Sequence, residues 1–251
     1  MPSETTQIRI SPGPVTVFQL DGHKGLNLLS VATLQGLLKL LQSQRDVPDL
    51  HVVILSGSQR AFCAGADMNE LLQLADIPAY IELGQELTQT IENYPIPVIA
   101  AIEGYALGAG FSLALACDFR VISASARLGQ LAVHNGLVPP FGNIQRLLQV
   151  CGPARGRELI LTGRTLTAQN AFNYHLADRL VETNALEGAQ QLASELMQAP
   201  RHALVWAKEV IQRTLESGHA VGYAHQENAL ADCLAHPESR RIMQGFLEKK
   251  A

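Results

Sequence analysis

The sequence predicts an α/β fold, a core of repeated strand–helix units followed by a helical C-terminal region. Three observations predict it. Short β-branched runs of strand length recur between residues 8 and 181, with helical patterns between them. Residues 96–117 read in direct succession as strand, glycine-rich turn and apolar helix. From about Asn184 strand signals cease and amphipathic helical patterns run to the end. Such an order suggests an α/β core with a helical appendage, divided here as 1–184 and 185–251.

Taken in order, Ile8–Ile10 and Val15–Leu20 read as strands around Pro12-Gly13-Pro14. Ser30 can cap a helix to about Gln44, with Leu34, Leu37, Leu38 and Leu41 on one face. Val52–Leu55 is a buried strand by composition. Residues 60–68 form a small-residue loop entering a helix near 69–75, which Asp67 can cap. The alternative is that Ala64 to Met68 present backbone N–H groups to a ligand. Pro78 starts a helix to about Asn93. Val98–Ile102 is a strand, Gly104, Gly108 and Gly110 form the turn, and Phe111–Cys117 the helix. Phe119–Ile122 is another strand. Residues 126–141, which carry His134, lack periodicity. Helices are expected over 144–150, closed by Gly152, then over 154–161 and 168–174, with Thr167 as the last cap. Asp178–Val181 is a final strand. Helices over about 185–198, 201–216, 219–235 and 238–249 follow, Pro200 and Pro237 standing where two of them begin.

The glycine turn before an apolar helix leaves N–H groups free at a positive helix end, suited to phosphate or to an oxygen that becomes negative in a reaction. Close packing alone also explains the glycines. A dinucleotide fingerprint does not fit, because Leu113 stands where a third glycine is needed. Glu103, Pro97 and the glycines oppose a membrane span. Of the 251 residues, 47% are hydrophobic and 17% charged, which is the balance of a chain with a sizeable core. A net charge of −4 without a basic run argues against a nucleic-acid partner. Cys63, Cys117, Cys151 and Cys233 lie far apart among apolar residues, as reduced core thiols do, and no ligand spacing suggests a metal. Met1 to Thr6 shows no basic head before an apolar segment, so a cytoplasmic location is expected.

Two segments together resemble a known family. Phe62-Cys63-Ala64-Gly65-Ala66-Asp67-Met68 and the run from Pro97 to Gly110 are similar to the enoyl-CoA hydratase/isomerase, or crotonase, superfamily. Lys24-Gly25-Leu26-Asn27, Cys117-Asp118, Gln145-Arg146-Leu147, Leu161-Thr162-Gly163-Arg164 and Phe246-Leu247-Glu248-Lys249-Lys250 resemble its other marks in the same order. Each motif is weak alone; their order and spacing over nearly the whole chain are specific. The resemblance implies a spiral core of repeated ββα units and C-terminal helices that form a homotrimer or a dimer of trimers. It implies an acyl-CoA thioester as substrate, with coenzyme A entering only as part of that substrate. Two backbone N–H groups, by position those of Ala66 and Ala109, would hold the thioester oxygen as an enolate forms. Lys24 and Lys249 are candidate contacts for the coenzyme A phosphates. Ala64, Asp67, Met68, Ser112, Ala132 and Pro140 fall at substrate-binding positions.

The same resemblance exposes a departure. Hydratases of the family use two glutamates, because adding water needs one group to activate it and one to manage the α-proton. Those positions are Ser112 and Ala132 here, and Pro139 and Pro140 stand where other members place an acidic residue. His134 is the leading substitute base, ahead of Glu103, Glu82 and Glu86; each also has a structural reading, as a loop hydrogen-bonder, a strand-end residue or a solvated helix face. The expectation is an enolate-stabilising acyl-CoA enzyme other than an ordinary hydratase, for example a decarboxylase or hydrolase. The alternatives are a weak hydratase or isomerase and a non-catalytic acyl-CoA-binding or complex-assembly subunit.

Overall fold

Each repeat of the core sends its strands into two different sheets. The computed structural model describes residues 6–248. The hairpin of β1 (Gln7–Ser11) and β2 (Val15–Asp21) leads through α1 (Val31–Gln44) to β3 (Val52–Ser56) and β4 (Ala61–Cys63). Next come α2 (Met68–Leu71), α3 (Ile77–Glu92), β5 (Val98–Ile102), β6 (Tyr105–Leu107) and α4 (Ala109–Ala116). The last turn holds β7 (Phe119–Ser123), β8 (Arg127–Gly129), α5 (Asn143–Thr162), β9 (Thr165–Thr167), α6 (Ala168–Asn173) and β10 (Arg179–Val181). The longer strands, with β10, build a six-stranded sheet in the order β1-β2-β3-β5-β7-β10, parallel except for the β1–β2 hairpin. The short strands build a second sheet, β4-β6-β8-β9, parallel except between β8 and β9. This is the α/β spiral of ββα units that the resemblance implied.

The second sheet is where the sequence reading falls short. Its four strands have three residues each, too few to show a period; β4 lies in the expected loop of 60–68 and β8 in the stretch 126–141 without periodicity. The helix expected over 69–75 is a single turn, Met68–Leu71. Helices expected over 144–150 and 154–161 are the two arms of α5, bent at Gly152, whose φ is 77°. Caps fall where expected: Ser30 Oγ accepts the Thr33 N–H at 3.1 Å and Thr167 Oγ1 the Asn170 N–H at 3.3 Å. A cap of this kind contributes about 1 kcal/mol.

Both faces of the large sheet are covered, so β3 and β5 are buried at every residue and read as continuous apolar runs. On one face lie α1, α3 and α4, with Leu34, Leu37 and Leu41 in the core. On the other, Ala185, Ala189, Leu192 and Ala193 of α7 (Ala185–Leu196) pack on Val52, Ile54, Ile99, Ala101 and Val121. Small residues on α7 let it sit close to the sheet.

Beyond α7 run α8 (Arg201–Ser217), α9 (His219–Ala235) and α10 (Pro237–Glu248). A buried ion pair ties α8 to the core. Lys208 Nζ donates to Asp118 Oδ2 at 2.6 Å and to Ile96 O at 3.1 Å, and the same carboxylate oxygen accepts the Val98 N–H at 2.7 Å. Burial pushes the Asp118 carboxyl above its ordinary range, while the Lys208 ammonium pulls it down. Among the described residues no helix is long and apolar enough to cross a membrane.

Replacing Lys208 with methionine removes the counter-charge and leaves Asp118 buried. Breaking a pair of this kind typically costs about 3–5 kcal/mol. Urea unfolding of K208M should therefore show a loss of that size, and a loss below about 1 kcal/mol would mean that the pair is not an anchor.

Candidate active site

The centre of the site is the N-terminus of α4. All eight residues of this helix are buried, and its first N–H groups have no partner within the helix. Gly108 precedes it with φ 53° and ψ −120°, a conformation that side chains disfavour. The turn is fixed from several directions. Gly108 N–H donates to Gly129 O at 2.9 Å, and Gly108 O accepts Ser112 Oγ at 3.2 Å and Gln130 Nε2 at 3.3 Å.

The segment 64–67 faces this turn. Ala64 N–H donates to Leu26 O at 2.8 Å, Gly65 O accepts Leu29 N–H at 2.9 Å, and Asp67 N–H donates to Leu29 O at 3.3 Å. That ladder uses the groups around Ala66 and leaves its N–H over. Among the described residues, neither the Ala66 nor the Ala109 N–H donates to a protein acceptor. The two segments meet closely. A Cβ on Gly110 would stand 2.2 Å from Cys63 O, and one on Gly65 would stand 2.9 Å from Leu107 O and 3.7 Å from Ala109 N. Glycine is therefore required where the segments touch, and two donors, one reinforced by the helix dipole, lie on facing backbones.

The nearby side chains mostly serve structure. Asp67 is buried and accepts the Asn69 and Glu70 N–H groups at 3.0 and 3.2 Å, capping α2. Met68 opens α2 and is exposed. Ser112 is fully buried, and its hydroxyl donates to Gly108 O or to Pro140 O, 3.1 Å away, which joins α4 to the loop before α5. Ala132 is buried at the start of a short 3-10 turn, its N–H on Gln130 Oε1 at 3.3 Å. His134 lies in that turn and is exposed; its Nε2 would be 2.7 Å from a Cβ on Gly163, so the ring lies against the end of α5. Lys24 is exposed in a 3-10 turn with φ 51°. Lys249 lies outside the described residues. Glu103 accepts the Ala185 N–H at 2.6 Å and Ser125 Oγ at 3.2 Å, and Glu82 and Glu86 are exposed on α3.

Sequence reasoning missed the residues that shape the donors. Asn27 is buried, and its side chain donates to Ala61 O at 2.7 Å and accepts the Gly22 N–H at 2.8 Å, pinning β4 to the loop of residues 22–27. Gln130 steadies the Gly108 turn. Tyr80 donates from its hydroxyl to Leu29 O at 3.0 Å, behind the Ala66 strand. Burial, reinforced by Cys63, Glu70 and Asp67 nearby, raises this phenol so that it stays neutral. Asn27 lay in a motif already singled out and Gln130 two residues before the Ala132 position; even so, a polar residue inside a loop carries no mark of the backbone atom it will hold.

The sequence of the whole chain matches a known family. The profile described as enoyl-CoA hydratase/isomerase matches residues 11–251. The chain belongs to this family. A short-chain-enoyl-CoA hydratase of Clostridium acetobutylicum is 30% identical over 242 residues, 95% of this chain and 93% of that protein. A crotonyl-CoA hydratase of Syntrophomonas wolfei is 30% identical, over 94% of this chain and 92% of that protein. The crystal structure of an enoyl-CoA hydratase from Bacillus anthracis superposes with a TM-score of 0.92 at 32% identity, covering 96% of each chain.

Cys63 and Cys117 border the buried helix, and burial pushes each thiol up to about 12. At pH 8 only about one molecule in ten thousand would hold either as thiolate. Ellman's reagent at pH 8 should label Cys151 and Cys233 in the folded protein, and Cys63 and Cys117 only after denaturation. Rapid labelling of Cys63 in the folded protein would mean that the 64–67 segment opens.

Proposed function

We propose that the protein acts on an acyl-CoA thioester, holding the thioester oxygen between the Ala66 and Ala109 N–H groups while an enolate forms. The observation that carries this reading is the pair of unused donors on two backbones that meet at Gly65 and Gly110. Preorganised donors of this kind stabilise developing negative charge, and loss of one costs about 10²–10³ in rate. Lys24 is proposed to meet the coenzyme A phosphates, with Lys249 as a second cation. The exposed apolar side chains of α8–α10 support a homotrimer or a dimer of trimers.

The favoured chemistry is one that needs no carboxylate pair, because a hydroxyl and a methyl group occupy positions 112 and 132. Decarboxylation fits best. The bond to the departing carboxylate breaks, CO2 leaves, and its electron pair enters the enolate that the two N–H groups hold. A proton from solvent then completes the product. Thioester hydrolysis also uses such a donor pair. The hydratase names of the relatives favour a second reading, hydration with His134 or another group as substitute base.

Mass spectrometry of crotonyl-CoA and a malonyl-type CoA ester, each incubated in heavy water, separates these readings. Loss of CO2 or release of free coenzyme A supports the proposal. Rapid addition of water to the crotonyl chain supports hydration instead, and H134A then tests the base. Binding without any change in either ester points to a binding subunit.

The donor pair is tested by Ala109→Pro. Ala109 is the first residue of α4, a position that tolerates proline because its N–H makes no helical bond. The variant should fold, retain ester binding and lose turnover by about 10²–10³-fold. Unchanged turnover in the folded variant would rule out Ala109 as a donor.

A further inference from the structure

The C-terminal helices bring together three side chains that the thioester site does not use. His202 lies in the first turn of α8, His236 joins α9 to α10, and Glu238 lies in the first turn of α10. One ring nitrogen of each histidine and one carboxylate oxygen of Glu238 all lie within 4.8 Å of one another, and all three residues are half-buried. The geometry points to a site for a divalent transition-metal ion, held by His202, His236 and Glu238 at the corner where α8 meets the α9–α10 elbow.

The donor set suits a borderline-soft ion. Two imidazoles and one carboxylate are ligands for Zn2+, Co2+ or Ni2+, whereas Mg2+ and Ca2+ prefer oxygen alone. Around tetrahedral zinc, bonds of about 2.0–2.1 Å place ligand atoms roughly 3.3 Å apart. His202 Nδ1 and Glu238 Oε2 are already 3.5 Å apart. The other nitrogen of His202, Nε2, is 2.7 Å from Ser239 Oγ, an outer partner that sets the ring's orientation. His236 Nδ1 accepts the Glu238 N–H at 3.3 Å, which leaves its Nε2 available. The two imidazoles are stacked with centroids 3.7 Å apart and planes at 17°. Stacked rings cannot both aim a nitrogen lone pair at one ion, so closing around an ion needs one ring to rotate and the ligand atoms, now within 4.8 Å of one another, to draw in. A fourth position would take water.

The competing explanation is a hydrogen-bonded helix corner that holds no ion. It accounts for the Ser239 and Glu238 contacts and for the stacked rings, so the two readings differ in whether the cluster takes up an ion. Bound metal would link residues 34–36 positions apart and so favour the folded state of this region.

The test uses the full chain, stripped with chelator and dialysed against ZnCl2. One zinc per chain should bind, the melting temperature should rise, and MgCl2 should not substitute. His236→Asn should abolish binding and the thermal shift, and Glu238→Gln should weaken binding at least tenfold. His225→Asn, on α9 outside the cluster, should bind as the parent does. Circular dichroism verifies folding of each variant, and if H236N fails to fold, E238Q alone decides. Absence of stoichiometric zinc, or binding unchanged in the folded cluster variants, overturns the site.

Discussion

The constraint on which the candidate site depends is the approach of Gly110 to Cys63, where the carbonyl oxygen occupies space that any side chain at 110 would need. From that contact the rest of the site follows. It sets the start of α4 against the 64–67 segment, and so places Ala109 opposite Ala66. The short strands β4, β6 and β8 hold the two segments in register from beneath, while Asn27 and Gln130 fix them from the sides. An unpaired N–H at a buried helix end is costly. The Ala109 N–H stands at such an end, and the Ala66 N–H is left over from the ladder of residues 64–67; donors so placed are what a site for a developing anion would require.

The polar side chains around the donors are engaged with backbone, and this shapes the chemistry. Asp67 caps α2, Glu103 holds the start of α7, Ser112 binds carbonyl oxygens and Tyr80 buttresses Leu29. Each is pulled towards a structural partner at hydrogen-bond distance, so the electrostatics at the donors come from oriented peptide groups. Fixed dipoles need no reorganisation as charge develops. In the proposed reaction the bond that breaks supplies the electrons, so oriented donors alone would serve it, with Ser112 and Ala132 at the two positions in question.

Much of this was legible in the sequence. The run Val98–Ile102 is a strand as read, because a short β-branched segment flanked by proline and glycine has few alternatives. Helices α1, α8 and α9 fall within a residue of their expected ends, marked by the Ser30 cap of α1, by Pro200 before α8 and by Pro237 after α9. Ala66 and Ala109 stand out in the sequence through motif resemblance alone. What stayed hidden depends on contacts between distant segments. Three-residue strands have no period, and the Lys208–Asp118 pair joins residues 90 apart. Histidines 202 and 236 carry no ligand spacing, and only the elbow between α9 and α10 brings them face to face.

The C-terminal helices show why an anchor such as Lys208 is useful. Ile242, Met243, Phe246 and Leu247 form one face of α10, and each is exposed in the single chain. Ile211 and Leu215 on α8 and Leu230 and Leu234 on α9 are exposed as well. Apolar contact with further chains could cover these faces, but it is non-directional and leaves the angle of the helices loosely defined. A buried ion pair supplies direction, because Asp118 accepts Lys208 only when α8 lies across the start of β5. In the proposed trimer such a clamp would set the helices at one angle before association, so that apolar burial adds affinity to a geometry already chosen.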